Sequence, residues 1–196
     1  MPKVVDHVSY RKQLLSRCLD LFAQSGYSAL TMRQIAEALQ VSTGTLYHYF
    51  PTKEALFQQL VEEVTARTTE MITAFVQQDM PPEQRLTMLF RFLEQHESFL
   101  NKQLMVTLNY YQHRDLYGED AGHLLQQGGL RYQQLLMQLL EIQDEQFLFL
   151  LQSQINGLLF SRMIHHVTVP LLEQAQPLIV MLSMYLQQFR QNKSVE

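Results

Sequence analysis

Between Ser42 and Tyr49 the chain concentrates hydroxyls and an imidazole on Ser42, Thr43, Thr45, Tyr47, His48 and Tyr49, with Gly44 among them and Lys53 just beyond. Small hydroxylated residues of this kind donate and accept hydrogen bonds without carrying a fixed charge, which suits contact with DNA. No nucleophile–base pair, phosphate loop or dinucleotide fingerprint accompanies them. Enzyme activity is therefore not expected, and neither is a cofactor.

Two short helices joined by a tight turn would hold these residues. Thr31 followed by Gln34 is a capping-box pattern, so a helix should open at Met32. Ile35, Ala36 and Leu39 then share one face. Val41 plugs the turn, Ser42 or Thr43 caps the next helix, and Leu46 and Phe50 give that helix its buried side. Thr43, Gly44, Thr45, Tyr47 and His48 share the surface that remains. The pattern is a helix-turn-helix, whose second helix lies in the major groove and reads base edges. Gln40 occupies the turn position where positive φ is expected, at a cost of about 1 kcal/mol for a residue other than glycine.

Lys53 sits in the first turn of the following helix, where a cation opposes the macrodipole. One reading is that it faces a DNA phosphate; the other is a solvated lysine whose stem escapes the dipole. Beside a helix-turn-helix the phosphate reading is preferred. Tyr47 is read as a second phosphate contact, and Tyr49, next to Phe50, more readily as a packing residue.

The run AEALQVSTGTLYHYFPTKEALF resembles the DNA-binding domain of the TetR family of bacterial transcriptional regulators, and the likeness covers roughly His7 to Arg67. Its signature part is TLYHYF followed by Thr52 and Lys53. The resemblance implies an all-α dimer, with a three-helix helix-turn-helix domain at 7–67 and a helical effector-binding and dimerisation domain at 68–196. Carried over by position, the family's DNA contacts fall on Thr31, Arg33, Ser42, Thr43, Gly44, Thr45, Tyr47, His48, Tyr49 and Lys53. Thr43 stands where many relatives have a lysine or arginine, which removes one phosphate or guanine contact.

Charge divides along the same boundary. Residues 1–60 hold six Lys/Arg against four Asp/Glu, whereas residues 61–196 hold nine against fifteen. So slight an excess predicts few salt contacts per half-site and a shallow salt dependence of binding. No charge-free apolar run approaches the 18 or so residues of a membrane span, and no signal-peptide pattern opens the chain. One cysteine, Cys18, cannot form an internal disulfide. A cytoplasmic protein, associated with the nucleoid when bound to DNA, is expected.

About nine helices are predicted. The first spans 7–25 and the fourth Lys53 to about Gln78, ended by Pro81-Pro82; later ones fall near 82–98, 99–116, 121–142, 146–167 and 171–191. Leu171, Ala175, Leu178, Leu182, Leu186 and Phe189 form one stripe on the last helix. With Leu151, Ile155 and Leu158 on the helix before, the residues Leu171, Leu178, Leu182 and Leu186 are the expected homodimer interface. Burial of both faces within one chain is the alternative. Pro177 should kink the last helix or mark its start.

Phe75, Met88, Phe92, Phe99, Met105, Tyr110, Tyr111, Tyr132 and Met137 are the candidate walls of an effector pocket for an uncharged or cationic, partly aromatic ligand; each could equally be core. His113, His123, His165 and His166 lack partners at ligand spacing, so no metal is expected. Asp115, Gly118, Glu119 and Asp120 read as a solvated loop without the calcium-binding pattern. The function implied is a homodimeric repressor released from a palindromic operator by a small-molecule effector. The alternative is the same fold acting through a protein partner with no small ligand.

Overall fold

The computed structural model describes residues 6–112 and 120–193. Among the described residues there are nine helices and no strand: α1 His7–Ser25, α2 Met32–Ala38, α3 Thr43–Tyr49, α4 Lys53–Phe75, α5 Pro82–Gln95, α6 Glu97–Gln112, α7 Asp120–Leu140, α8 Glu145–His165 and α9 Leu171–Lys193. The all-α expectation holds. His113, the loop residues Asp115, Gly118 and Glu119, and the side chains of Asp120 and His123 lie outside the described residues.

The chain gathers into two compact units, Met1–Arg67 with Lys102–Gly128, and Thr68–Asn101 with Gly129–Glu196. In the first, Asp6 caps α1 by accepting from the Val8 N–H at 3.1 Å, and Gly26 ends the helix at φ 75°, where glycine carries no Cβ penalty. Leu14, Leu15, Cys18, Leu19 and Phe22 of α1 are buried with Ile35, Leu46, Phe50, Leu56, Phe57 and Leu60. Each large apolar side chain so buried contributes roughly 1.5–3 kcal/mol. Part of α6 belongs here too. Tyr110 stacks on Phe57 at 4.9 Å between ring centroids, and the Lys102 ammonium meets Asp20 at 2.6 Å. A Cβ on Gly26 would lie 2.9 Å from Asn109 Oδ1, so this approach also requires glycine.

In the second unit α9 packs along α5. Two buried arginines tie its loops. Arg85 donates to the carbonyls of Met80, Gln78 and Leu139 at 2.7, 2.6 and 3.1 Å and pairs with Glu141. Arg162 donates to both Glu97 oxygens at 2.8 and 3.1 Å, to the Val169 carbonyl and to Gln174 Oε1. A buried charge is tolerable only when paired and hydrogen-bonded in this way.

One expected boundary is corrected. The helix expected to reach Gln78 stops at Phe75, and the carbonyls of Gln78 and Met80 accept from Arg85 instead. Of the two readings of Pro177, a kink in the last helix or its start, the second falls away, because Pro177 lies inside α9. Of the residues read as the dimer interface, Leu151, Leu171, Leu182 and Leu186 are buried within the single chain, and Ile155, Leu158 and Leu178 are half-buried. The physical reason is that the most regular apolar stripe of α9 is the one α5 already covers. The exposed apolar surface is a different set, Phe149, Leu150, Phe160 and Ile164 on α8 and Val180, Met181 and Met184 on α9.

Candidate nucleic-acid interface

The helix-turn-helix is assembled by local hydrogen bonds. Thr31 Oγ1 accepts from the Gln34 N–H at 3.3 Å, and Gln34 Oε1 accepts from the Thr31 N–H at 2.9 Å, completing the capping box of α2. Gln40 adopts φ 57°, the left-handed conformation expected at this turn. The Val41 N–H then returns to the Ala36 carbonyl at 3.0 Å. Ser42 Oγ accepts from the Thr45 N–H at 2.9 Å and caps α3.

This arrangement divides α3 into two sides. Leu46 and the following Phe50 are 0% exposed and anchor the helix. Thr43, Gly44, Tyr47 and His48 are exposed, Thr45 is half-buried, and Thr31, Arg33 and Ser42 are exposed nearby. Thr45 Oγ1 shares a hydrogen bond with Ser42 Oγ at 2.7 Å, so its hydroxyl is already engaged. A face of hydroxyl, imidazole and guanidinium groups beside a bare glycine can approach a polar groove closely.

Two residues make contacts within the protein that no sequence spacing pointed to. The Tyr49 hydroxyl shares a hydrogen bond with His7 Nδ1 at 2.8 Å while its ring leans on Tyr10, 5.5 Å between centroids. Tyr49 therefore fastens the end of α3 to the start of α1. Nothing in the sequence pointed to His7, which lies 42 positions away and also approaches the His48 ring at 6.2 Å. The Lys53 ammonium donates to the carbonyls of Tyr27 and Leu30, and burial pulls it below the usual lysine range, with Glu54 opposing. Cys18 is held in the core, where burial pushes its thiol up to about 12, so it stays neutral and unreactive at ordinary pH.

The candidate pocket residues are distributed over both units. Tyr110 and Met105 lie in the first unit, where Tyr110 is core against Phe57, and Tyr111 is exposed. Phe75, Met88, Phe92, Phe99, Tyr132 and Met137 lie in the second, where Phe75 meets Phe92 edge-on at 5.7 Å. A small cleft in the first unit is lined by Leu19, Leu60, Val64, Thr65, Val106 and Thr107, none of them expected. At about 10 Å³ it has room for roughly one water molecule.

Among the described residues, all of them helical or in loops and turns, these capped helices with a polar outer face and an apolar anchor define a helix-turn-helix module. Residues 14–60 match the family described as bacterial regulatory proteins, tetR family. It is 32% identical over 97 residues to the uncharacterised HTH-type transcriptional regulator YuxN of Bacillus subtilis, covering 47% of this chain and 33% of that protein. It is 36% identical over 66 residues to the HTH-type transcriptional repressor AcnR of Corynebacterium efficiens, covering 34% of this chain and 35% of the relative. The chain thus spans about a third of the length of the first curated relatives it matches. In fold it is similar to a TetR transcription regulator from Haloarcula marismortui, with a TM-score of 0.73 at 19% identity over 90% of this chain and 98% of that one. Each of the three is described as a transcriptional regulator or repressor.

Proposed function

We propose that the chain is a homodimeric, sequence-specific DNA-binding repressor. The observation that carries this is α3, anchored by Leu46 and Phe50 while Thr43, Gly44, Tyr47 and His48 face outward together. Repression is supported by AcnR, a repressor related through the same segment. One such motif reads a half-site, so a two-fold symmetric operator calls for a dimer. The exposed apolar residues of α8 and α9 are the surface that would bury it. A small-molecule effector would bind among Phe75, Met88, Phe92, Phe99, Tyr132 and Met137 and favour the state that releases DNA; DNA would weaken its binding in return.

The test is selection of duplexes from a random pool by purified protein, followed by salt titration of the winner. A two-fold symmetric consensus supports a dimeric sequence reader. Failure to enrich any sequence, with binding lost at physiological salt, would overturn it.

A further inference from the structure

Beside the recognition helix, α1 and α3 bring two imidazoles and a phenol together. His7 Nδ1 and the Tyr49 hydroxyl share a hydrogen bond at 2.8 Å. The His48 ring stands edge-on to Tyr49 at 5.1 Å and lies 6.2 Å from His7, while Tyr10 backs Tyr49 at 5.5 Å. His7 and His48 are both exposed. His7 therefore stands next to the outward face of α3 although it belongs to another helix. A hydrogen bond through one imidazole nitrogen fixes what the other does. With Nδ1 accepting from the phenol, a neutral His7 carries its proton on Nε2, away from Tyr49. When the ring gains a second proton, Nδ1–H donates and the Tyr49 oxygen accepts, so the contact survives the change of charge. Tyr49 aims the imidazole in both states. The other titratable and charged groups around the pair, among the described residues, are Asp6, Tyr10 and Arg11 on α1 and His48 on α3; the Asp6 carboxylate accepts from the Val8 N–H. A DNA phosphate brought against α3 adds an anion that accepts from Nε2–H and favours the charged ring.

We propose that His7 is a further DNA-binding residue: aimed by Tyr49 at the edge of the recognition helix, it engages a backbone phosphate as the imidazolium, so that binding takes up a proton. This rests on the DNA-binding reading above. Binding should strengthen as pH falls through the range in which imidazoles gain charge. The experiment titrates wild type, His7→Gln and His7→Lys against salt at about pH 6 and about pH 8, either side of that range. Each is tested with the duplex selected by wild type and with a scrambled duplex, and again in a His48→Gln background. Thermal unfolding is measured alongside.

At the lower pH, His7→Gln should bind both duplexes roughly tenfold more weakly, the scale of a charge-assisted hydrogen bond. Its slope of log affinity against log salt should be shallower by about 0.9 per half-site. At the higher pH the two slopes should agree. His7→Lys is charged throughout and should keep the steeper slope at both. These differences should persist without His48, and Tyr49→Phe should cost less affinity in the His7→Gln background than alone. Equal slopes for wild type and His7→Gln at the lower pH overturn the proposal, and so does an equal difference at both. Loss confined to the selected duplex at unchanged slope overturns it too, because the His7–Tyr49 bond then serves only the shape of the helix-turn-helix. Equal losses from Tyr49→Phe in both backgrounds overturn it as well. If His7→Gln lowers the melting temperature, His7→Lys decides: a slope no steeper than wild type at the higher pH means that no phosphate lies within reach. Wild type that binds no duplex sinks the DNA-binding reading itself, before any variant is compared.

Discussion

The helices α3 and α8 bury themselves in opposite ways. α3 has seven residues, a single buried side chain in Leu46, and polar groups or bare backbone over most of its outer side. α8 has 21 residues, buries Phe147, Leu148, Leu151 and Leu159, and still exposes Phe149, Leu150, Phe160 and Ile164. A short helix with one anchor has little stability of its own and depends on caps and on its neighbours. A long helix that is apolar all round holds itself in place and has carbon left over. The first kind of surface binds through hydrogen bonds and charge, so it is sensitive to sequence and salt. The second binds by removing apolar area from water, and salt leaves that largely untouched.

The largest test of this contrast is aimed at the apolar surface. Phe149→Glu combined with Met181→Glu should weaken self-association by at least about a hundredfold, since burying unpaired carboxylates costs several kcal/mol. Sedimentation would read this as a shift from dimer to monomer with helicity retained; an unchanged dimer would place the interface elsewhere. Leu46→Ala comes next. Removing the only buried side chain of α3 should cost about 3 kcal/mol in urea unfolding, and a loss below 1 kcal/mol would mean that Phe50 anchors the helix alone. Thr45→Ala is smaller. With its hydroxyl bonded to Ser42, Thr45 has its methyl left for a base, so base preference should change by about 1 kcal/mol. Identical selected sequences for wild type and variant would remove Thr45 from the readout. The smallest effect is Gln40→Gly, which relieves φ 57° and should raise stability by at most about 1 kcal/mol, because glycine also loosens the unfolded chain. A lower melting temperature would show that the Gln40 side chain contributes more than its backbone costs.

What was legible in the sequence was local. The capping box of Thr31 and Gln34, the Ser42 cap and the left-handed Gln40 are each decided within a few residues, and all three appear as read. Contacts between distant residues were not legible. Lys102 meets Asp20 across 82 positions and Lys53 meets the Tyr27 carbonyl across 26, and no periodicity encodes either. The covered and exposed faces of α8 and α9 were not legible for another reason. On a helix with apolar residues around its whole circumference, spacing gives the helix but cannot say which side the chain covers for itself.

The Tyr110–Phe57 stack and the Gly26–Asn109 approach have a consequence for synthesis. The DNA-binding unit is discontinuous in the chain: its last packing partners are translated only after Thr68–Asn101, a segment that folds into the other unit. At ribosomal speeds of about 5–20 residues per second, the nascent helix-turn-helix must wait several seconds with Phe57 uncovered before α6 arrives. Protease resistance of the first unit should therefore appear on stalled ribosomes only once residues 102–112 have cleared the exit tunnel. Resistance already complete when Arg67 emerges would mean that the first three helices and the start of α4 hold together unaided.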